Sequence, residues 1–236
     1  MPHPPVSAVL FDMDGLMIDS EKLYTIVTNR ILAPYGREMT WEIKAGLMGR
    51  PALDSAAYLI AATDLPLTPQ ELLDKMDAQL LEAFKTVEIL PGVLKLVQHL
   101  KAHNVPMAIA TGSKARNFAV KSAHLPHLFE PFGSRILCGD DPILEGKGKP
   151  DPTIFIVAAR LHLGIDTPEG RSKVLVFEDG APGVRAARAA GMEVCWIPDP
   201  ELLATMGDSH DLTPSHTHTS MEDFDPAAWG LPPYSS

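Results

Sequence analysis

The stretch Ala8-Val9-Leu10-Phe11-Asp12-Met13-Asp14-Gly15 decides how this chain folds. Four apolar residues in a row, too few for a helix and without polar alternation, read as a strand buried on both faces; the abrupt change to Asp-Met-Asp-Gly marks the turn at its carboxyl end. Similar runs recur at residues 105–110 before Thr111-Gly112, 135–138 before Gly139, 174–177 before Glu178-Asp179, and 193–197 before Pro198. Helical patterns separate them, over residues 93–103, 114–123, 151–161 and 182–190, the last closed by Gly191 as a C-cap. Strands that alternate with helices predict an α/β fold built on a doubly wound parallel sheet.

Residues 21–89 break this rhythm, with helical patterns and no convincing strand. Leu23, Ile26, Val27 and Ile31 share one helical face, and 51–62 is a second helical stretch. Thr68-Pro69-Gln70-Glu71 opens a third, combining an N-cap threonine, a proline at the first helical position and a capping-box glutamate. The expectation is a core of residues 1–18 and 90–236 with a small all-helical cap, residues 19–89, tethered by two chain crossings. After Pro200 the chain is rich in Pro, Ser, Thr, Asp and His, and it is expected to be mostly irregular. His210, His216 and His218 in that tail lack an accompanying carboxylate or cysteine pattern, so they read as solvated residues rather than a metal site.

The 236 residues suffice for a sizeable core without help from an oligomer, and a monomer is expected. A net charge of -10 argues against nucleic acid or an anionic membrane as partner, so a small anion would need a local positive pocket. Apolar runs of a handful of residues fall short of the roughly 20 that cross a bilayer. Cys138 and Cys195 sit in apolar strands as small core hydrophobes, and Met1-Pro2-His3-Pro4-Pro5 lacks a charged-then-apolar leader; a cytoplasmic location is expected.

In an open parallel sheet, ligands bind beyond the carboxyl ends of the strands. There the sequence places Asp12 and Asp14, then Thr111-Gly112-Ser113, then Lys149, then Glu178-Asp179. Clustered carboxylates repel one another unless a cation sits among them, and magnesium, which takes oxygen ligands and substrate phosphate, suits such a set. Lys149 and the amides after Thr111 would give a phosphate a positive cradle. The combination points to phosphoryl transfer on a small phosphorylated metabolite. Singly, each residue has a plainer explanation: turn formers at Asp12 and Asp14, an N-cap at Ser113, helix-start acids at Glu178 and Asp179, a surface lysine at Lys149. Independent caps have no reason to recur at four successive strand ends with these chemistries.

Asp12-Met13-Asp14-Gly15, Thr111, Lys149 and Glu178-Asp179 resemble, in order, the four motifs of the haloacid dehalogenase superfamily, and the helical insertion resembles its cap. The resemblance implies that Asp12 is a nucleophile that becomes phosphorylated and Asp14 a general acid and base. It implies magnesium held by Asp12, the Asp14 carbonyl and Asp179 with Glu178 assisting, and Thr111 and Lys149 on the phosphoryl oxygens, with Gly112 and Ser113 beside them. Of Lys147 and Lys149, the lysine before Pro150-Asp151 fits the motif. Gly180 stands where relatives often carry serine or alanine, which would loosen that loop.

Residues 12–24, Met48-Gly49 with Ala52-Leu53, Gly139-Asp140-Asp141-Pro142 and Gly230-Leu231-Pro232-Pro233-Tyr234 look like the pseudouridine-5'-phosphatase family within that superfamily. That implies a nucleotide or sugar monophosphate, pseudouridine 5'-phosphate first. Arg50 is the candidate substrate contact, and it reads equally as a surface ion-pair residue. A β-phosphoglucomutase-like phosphomutase would share every catalytic residue, while phosphatases acting on 2-deoxyglucose 6-phosphate, glycerol phosphate or flavin mononucleotide would differ only in cap contacts. A non-catalytic relative is disfavoured by the presence of Asp12 and Asp14.

Overall fold

The alternation resolves, in a computed structural model that describes residues 3–47, 52–206 and 211–234, into one six-stranded sheet. Its strands are β1 (Ala8–Phe11), β2 (Met107–Thr111), β3 (Ile136–Cys138), β4 (Val174–Glu178), β5 (Glu193–Trp196) and β6 (His216–Thr217), all parallel, in the order β3-β2-β1-β4-β5-β6. β2 begins at Met107 rather than 105 because Pro106 has no N–H to give the ladder. It runs on through Thr111, which pairs with Cys138.

Side chains of period two divide between the faces. Val9, Phe11, Ile109, Leu175 and Phe177 meet one apolar layer; Leu10, Ala108, Ala110, Val176 and Trp196 meet the other. The helices are α1 (Ser20–Leu32), α2 (Trp41–Leu47), α3 (Ala52–Thr63), α4 (Pro69–Ala83), α5 (Val93–Ala102), α6 (Ala115–Ser122), α7 (Pro126–Phe129), α8 (Thr153–Leu163), α9 (Pro168–Arg171), α10 (Ala181–Ala189) and α11 (Pro200–Met206). α5 and α7 cover the first face, α8 and α10 the second. α8 starts two residues later than its pattern suggests, because Asp151 stands outside the helix and accepts the Thr153 N–H at 2.9 Å.

Helices α1, α3 and α4 and the 3-10 turn after α4 form a separate apolar cluster of Val27, Ile31, Leu32, Leu59, Leu72, Leu80 and Phe84, with Ile43 and Leu47 of α2 packed against it. At the head of α4 the reciprocal capping box is made, with Thr68 accepting from Glu71 N–H at 3.3 Å and Glu71 accepting from Thr68 N–H at 2.7 Å. The segments that join this insertion to the sheet lie side by side: Asp19 N–H donates to the Glu88 carbonyl at 2.9 Å and Leu90 N–H to the Met17 carbonyl at 3.0 Å.

Beyond α11, the described tail runs largely as loop, as expected, yet it is packed: its two-residue β6 joins the sheet through Ser215 N–H to Val194 and His218 N–H to Trp196, both at 2.9 Å, and two short 3-10 turns close it. Met221, Phe224, Trp229 and Leu231 are buried in the first sheet layer, with the Phe224 ring edge-on to Phe177 at 4.8 Å. Its apolar residues follow no helical or strand period, so local pattern could not reveal that they fill core. His216 and His218 lie 4.3 Å apart and His3 stacks on Trp229 at 3.9 Å, while His210 lies outside the described residues. Cys138 and Cys195 are free thiols. No helix of the described residues is long and apolar enough to cross a membrane.

Candidate active site

β1 is central, and the chain leaves it towards β2 and β3 on one side and later builds β4, β5 and β6 on the other. The crevice at this switch point lies beyond the carboxyl ends of β1 and β4. Asp12 follows β1 there and Glu178 closes β4, with Asp179 next in the chain. Oxygen atoms of Asp12, Glu178 and Asp179 lie within 4.8 Å of one another. Lys149, from the loop before α8, is hydrogen-bonded to Asp12 and reaches Glu178 Oε1 at 2.5 Å. Lys147, by contrast, is half exposed and pairs with Glu145 at 3.2 Å. The geometry therefore selects Lys149.

Two glycines make room for these carboxylates. A Cβ at Gly183, in the first turn of α10, would collide with the Glu178 carboxylate, so only glycine lets that helix start so close to β4. Gly15 has φ +78, and a Cβ there would collide with Asp179 Oδ2 and meet Glu21 Cγ at 3.3 Å. Gly180, expected to loosen its loop, donates its N–H to Glu178 Oε2 at 3.1 Å and so ties it.

Burial pushes the Asp12 carboxyl up to about 7, with Lys149 opposing and Glu178 and Asp14 reinforcing the rise. Burial also carries Asp179 well above its ordinary range, with Glu178 and Asp12 adding to it. Lys149 is held above its ordinary value: burial works against its charge, but Asp12 and Glu178 outweigh burial. One lysine thus leaves three converging carboxylates short of positive charge. The donor set, all oxygen and tightly grouped, fits a hard divalent cation.

Asp14 belongs to a second polar group. Its Oδ2 accepts from Ser113 Oγ at 2.6 Å and its Oδ1 from Lys121 Nζ at 2.5 Å, while Lys121 also donates to Ser113 Oγ at 2.9 Å. Burial would raise the Asp14 carboxyl, but Lys121 and Ser113 prevail and hold it below its ordinary value. Ser113 is therefore no N-cap: Lys114 occupies that position of α6, without a side-chain cap bond. Thr111, fully buried, accepts the Ser113 N–H at 3.0 Å, and Gly112 lies between them with open space where a Cβ would stand. Arg50 lies outside the described residues. From the insertion, Glu21 of α1 and Lys44 of α2 approach within 4.0 Å of each other, and Lys44 Nζ lies 4.5 Å over the Trp41 ring.

Sequence reading missed Lys121. A partial signal was available, since Phe118, three residues before it on α6, packs into the apolar layer and puts a lysine on the same side of the helix.

These features have counterparts among known proteins. The model of the haloacid dehalogenase-like hydrolases matches residues 6–191. The chain is 39% identical over 231 residues to (DL)-glycerol-3-phosphatase 2 of Arabidopsis thaliana, covering 97% of this chain and 93% of that one. It is 38% identical over 237 residues to a probable pseudouridine-5'-phosphatase of Saccharomyces cerevisiae, covering 98% and 100%. A haloacid dehalogenase family hydrolase of Deinococcus radiodurans, whose crystal structure holds phosphate and sodium, superposes with a TM-score of 0.76 at 28% identity, covering 98% of this chain and 100% of that one. With the sheet order, the acidic cluster and the matched residues in agreement, the chain belongs to the haloacid dehalogenase-like hydrolase family and is a phosphatase.

Proposed function

We propose that this enzyme hydrolyses the phosphate monoester of a small nucleoside, sugar or polyol, pseudouridine 5'-phosphate first among them, through a phosphorylated Asp12. The observation that carries the reading is the meeting of Asp12, Glu178 and Asp179 around Lys149 at the sheet's switch point. The glycerol-3-phosphatase and pseudouridine-5'-phosphatase names of its relatives support the substrate class.

In the first step an Asp12 carboxylate oxygen attacks phosphorus and the bond to the ester oxygen breaks; Asp14, held ionised by Lys121 and Ser113 in the resting site, must take up a proton as the anionic phosphate arrives, and it gives this proton to that leaving oxygen. In the second, water attacks the same phosphorus while Asp14 takes up a proton, the bond to Asp12 breaks, and inorganic phosphate leaves. Lys149, the Thr111 hydroxyl and the Gly112 backbone N–H hold the phosphoryl oxygens; a hydroxyl that accepts from Ser113 can still donate its own hydrogen, whereas Ser113 has its N–H on Thr111 and its hydroxyl on Asp14. Asp12, the Asp14 carbonyl and Asp179 would hold magnesium, assisted by Glu178, and the ion supplies neutralisation of the phosphoryl charge. Residues 19–89 act as a cap on a core of 1–18 and 90–236, choosing the substrate and excluding water, with Arg50, Glu21 and Lys44 as cap-side contacts.

The test is phosphate release from p-nitrophenyl phosphate with magnesium, then from pseudouridine 5'-phosphate, glycerol 3-phosphate, sugar phosphates and flavin mononucleotide. Asp12→Asn should melt as wild type does and release no phosphate. Release that persists in that variant, or in excess chelator, refutes the mechanism; an isomerised sugar phosphate among the products marks a mutase instead.

A further inference from the structure

Lys121 is a fully buried charged side chain, and an ammonium taken out of water needs partners for its charge and its three donors. Two donors go to Asp14 Oδ1 at 2.5 Å and Ser113 Oγ at 2.9 Å. The third side faces aromatic rings: Nζ lies 4.1 Å from the Phe84 ring centroid and 5.7 Å from that of Tyr24, close enough for a cation–π contact. Phe84 and Tyr24 belong to the helical insertion, and Val120, beside Lys121 on α6, packs into the insertion's apolar cluster. Both oxygens of Asp14 are thus fixed by α6 and the loop that opens it, and the ammonium that fixes one of them is itself walled by the insertion.

We propose that Lys121 is the positioning residue of Asp14: with Ser113 it sets where that carboxyl points, and Phe84 holds Lys121 in place, so the docking of the insertion governs proton delivery to the leaving group. This rests on the reading of Asp14 as the acid and base. The two aspartates, two residues apart, are each served by their own lysine, Lys149 for Asp12 and Lys121 for Asp14. The second lysine touches none of the Asp12, Glu178, Asp179 cluster by hydrogen bond, so its work is distinct from charge neutralisation at the phosphate.

The test compares two substrates that differ in need of a proton on the leaving oxygen. Glycerol 3-phosphate needs it; 2,4-dinitrophenyl phosphate does not. A positioned general acid contributes about a hundredfold or more, so Lys121→Met should lower kcat/KM on glycerol 3-phosphate by about a hundredfold and on the dinitrophenyl ester by under about threefold. Lys121→Arg, which keeps the cation, should recover part of the loss. Phe84→Leu leaves the Lys121–Asp14 pair chemically intact and gives the same comparison without unpairing a buried charge; its loss should be smaller and confined to glycerol 3-phosphate. Equal losses on the two esters, or no loss on either, overturn the proposal. Asp14→Asn is measured beside them. If it too loses both esters equally, the acid and base reading of Asp14 has failed; if it discriminates between them and the Lys121 and Phe84 variants do not, the positioning role alone has failed.

Discussion

Gly15→Ala separates backbone strain from damage to the carboxylate cluster proposed to hold the metal. Gly15 sits at φ +78, where an L residue loses about 1 kcal/mol relative to glycine. Against a total stability of about 5–15 kcal/mol that strain leaves the protein folded, with a melting temperature lowered by about 2–4 °C. The larger consequence is steric. The new Cβ would overlap Asp179 Oδ2 and lie 3.0 Å from its Cγ, so the carboxylate must swing by about 1 Å to regain ordinary contact. A metal site tolerates deviations of only about 0.2 Å in its ligand distances, and disturbing what orients a ligand costs about 10–100-fold in affinity. Calorimetric titration of magnesium into metal-free protein reads this directly, with phosphate release at fixed magnesium beside it. Gly191→Ala is the control: φ is +77 there, and nothing lies within 4 Å of the added Cβ. It should show the same lowered melt and wild-type magnesium affinity. If Gly15→Ala binds magnesium as wild type does, or Gly191→Ala weakens it equally, Asp179 is not the ligand that Gly15 makes room for.

Two further outcomes follow from the same geometry. Asp12 is raised from 3.8 to about 7, burial first, so the folded metal-free protein holds a proton there that the unfolded chain has released. That contribution to stability is complete below about pH 4 and is lost as pH rises through about 7; the stability of wild type relative to Asp12→Asn in chelator should therefore fall between about pH 4 and 7. Magnesium must displace that proton, and any held by Asp179, whose carboxyl is also raised, so its affinity should rise by at least about tenfold per pH unit up to about 7. A flat affinity over that range would count against Asp12 as a ligand. Separately, Trp229 is 1% exposed, and Trp229→Ala should cost about 3–5 kcal/mol in urea unfolding; a cost under about 1 kcal/mol would mean that the tail is not part of the core.

The first five strands and the main helices between them were legible because each is set by neighbours: Ala8 to Phe11 and Val174 to Phe177 are buried on both faces whatever they pair with, and Thr68 to Glu71 cap their own helix. The chemistry at the strand ends was legible for the same reason, since Asp12, Thr111 and Glu178 each close or follow a recognisable strand. What local pattern could not give is partnership across the chain. Asp14 and Lys121 are 107 residues apart and Asp12 and Lys149 are 137 apart, so only the folded sheet brings each pair together. Nothing local to Gly183 tells that β4 places Glu178 against it, and Trp229 lies in a turn-rich tail with no period to betray it. The sequence by itself determined the sheet and the acids at its edge, because burial of a short apolar run and the turn beyond it are local properties. Tertiary structure alone decided which lysine serves which aspartate and which tail residues are core, because a charge or a ring is buried only where distant segments supply its partners.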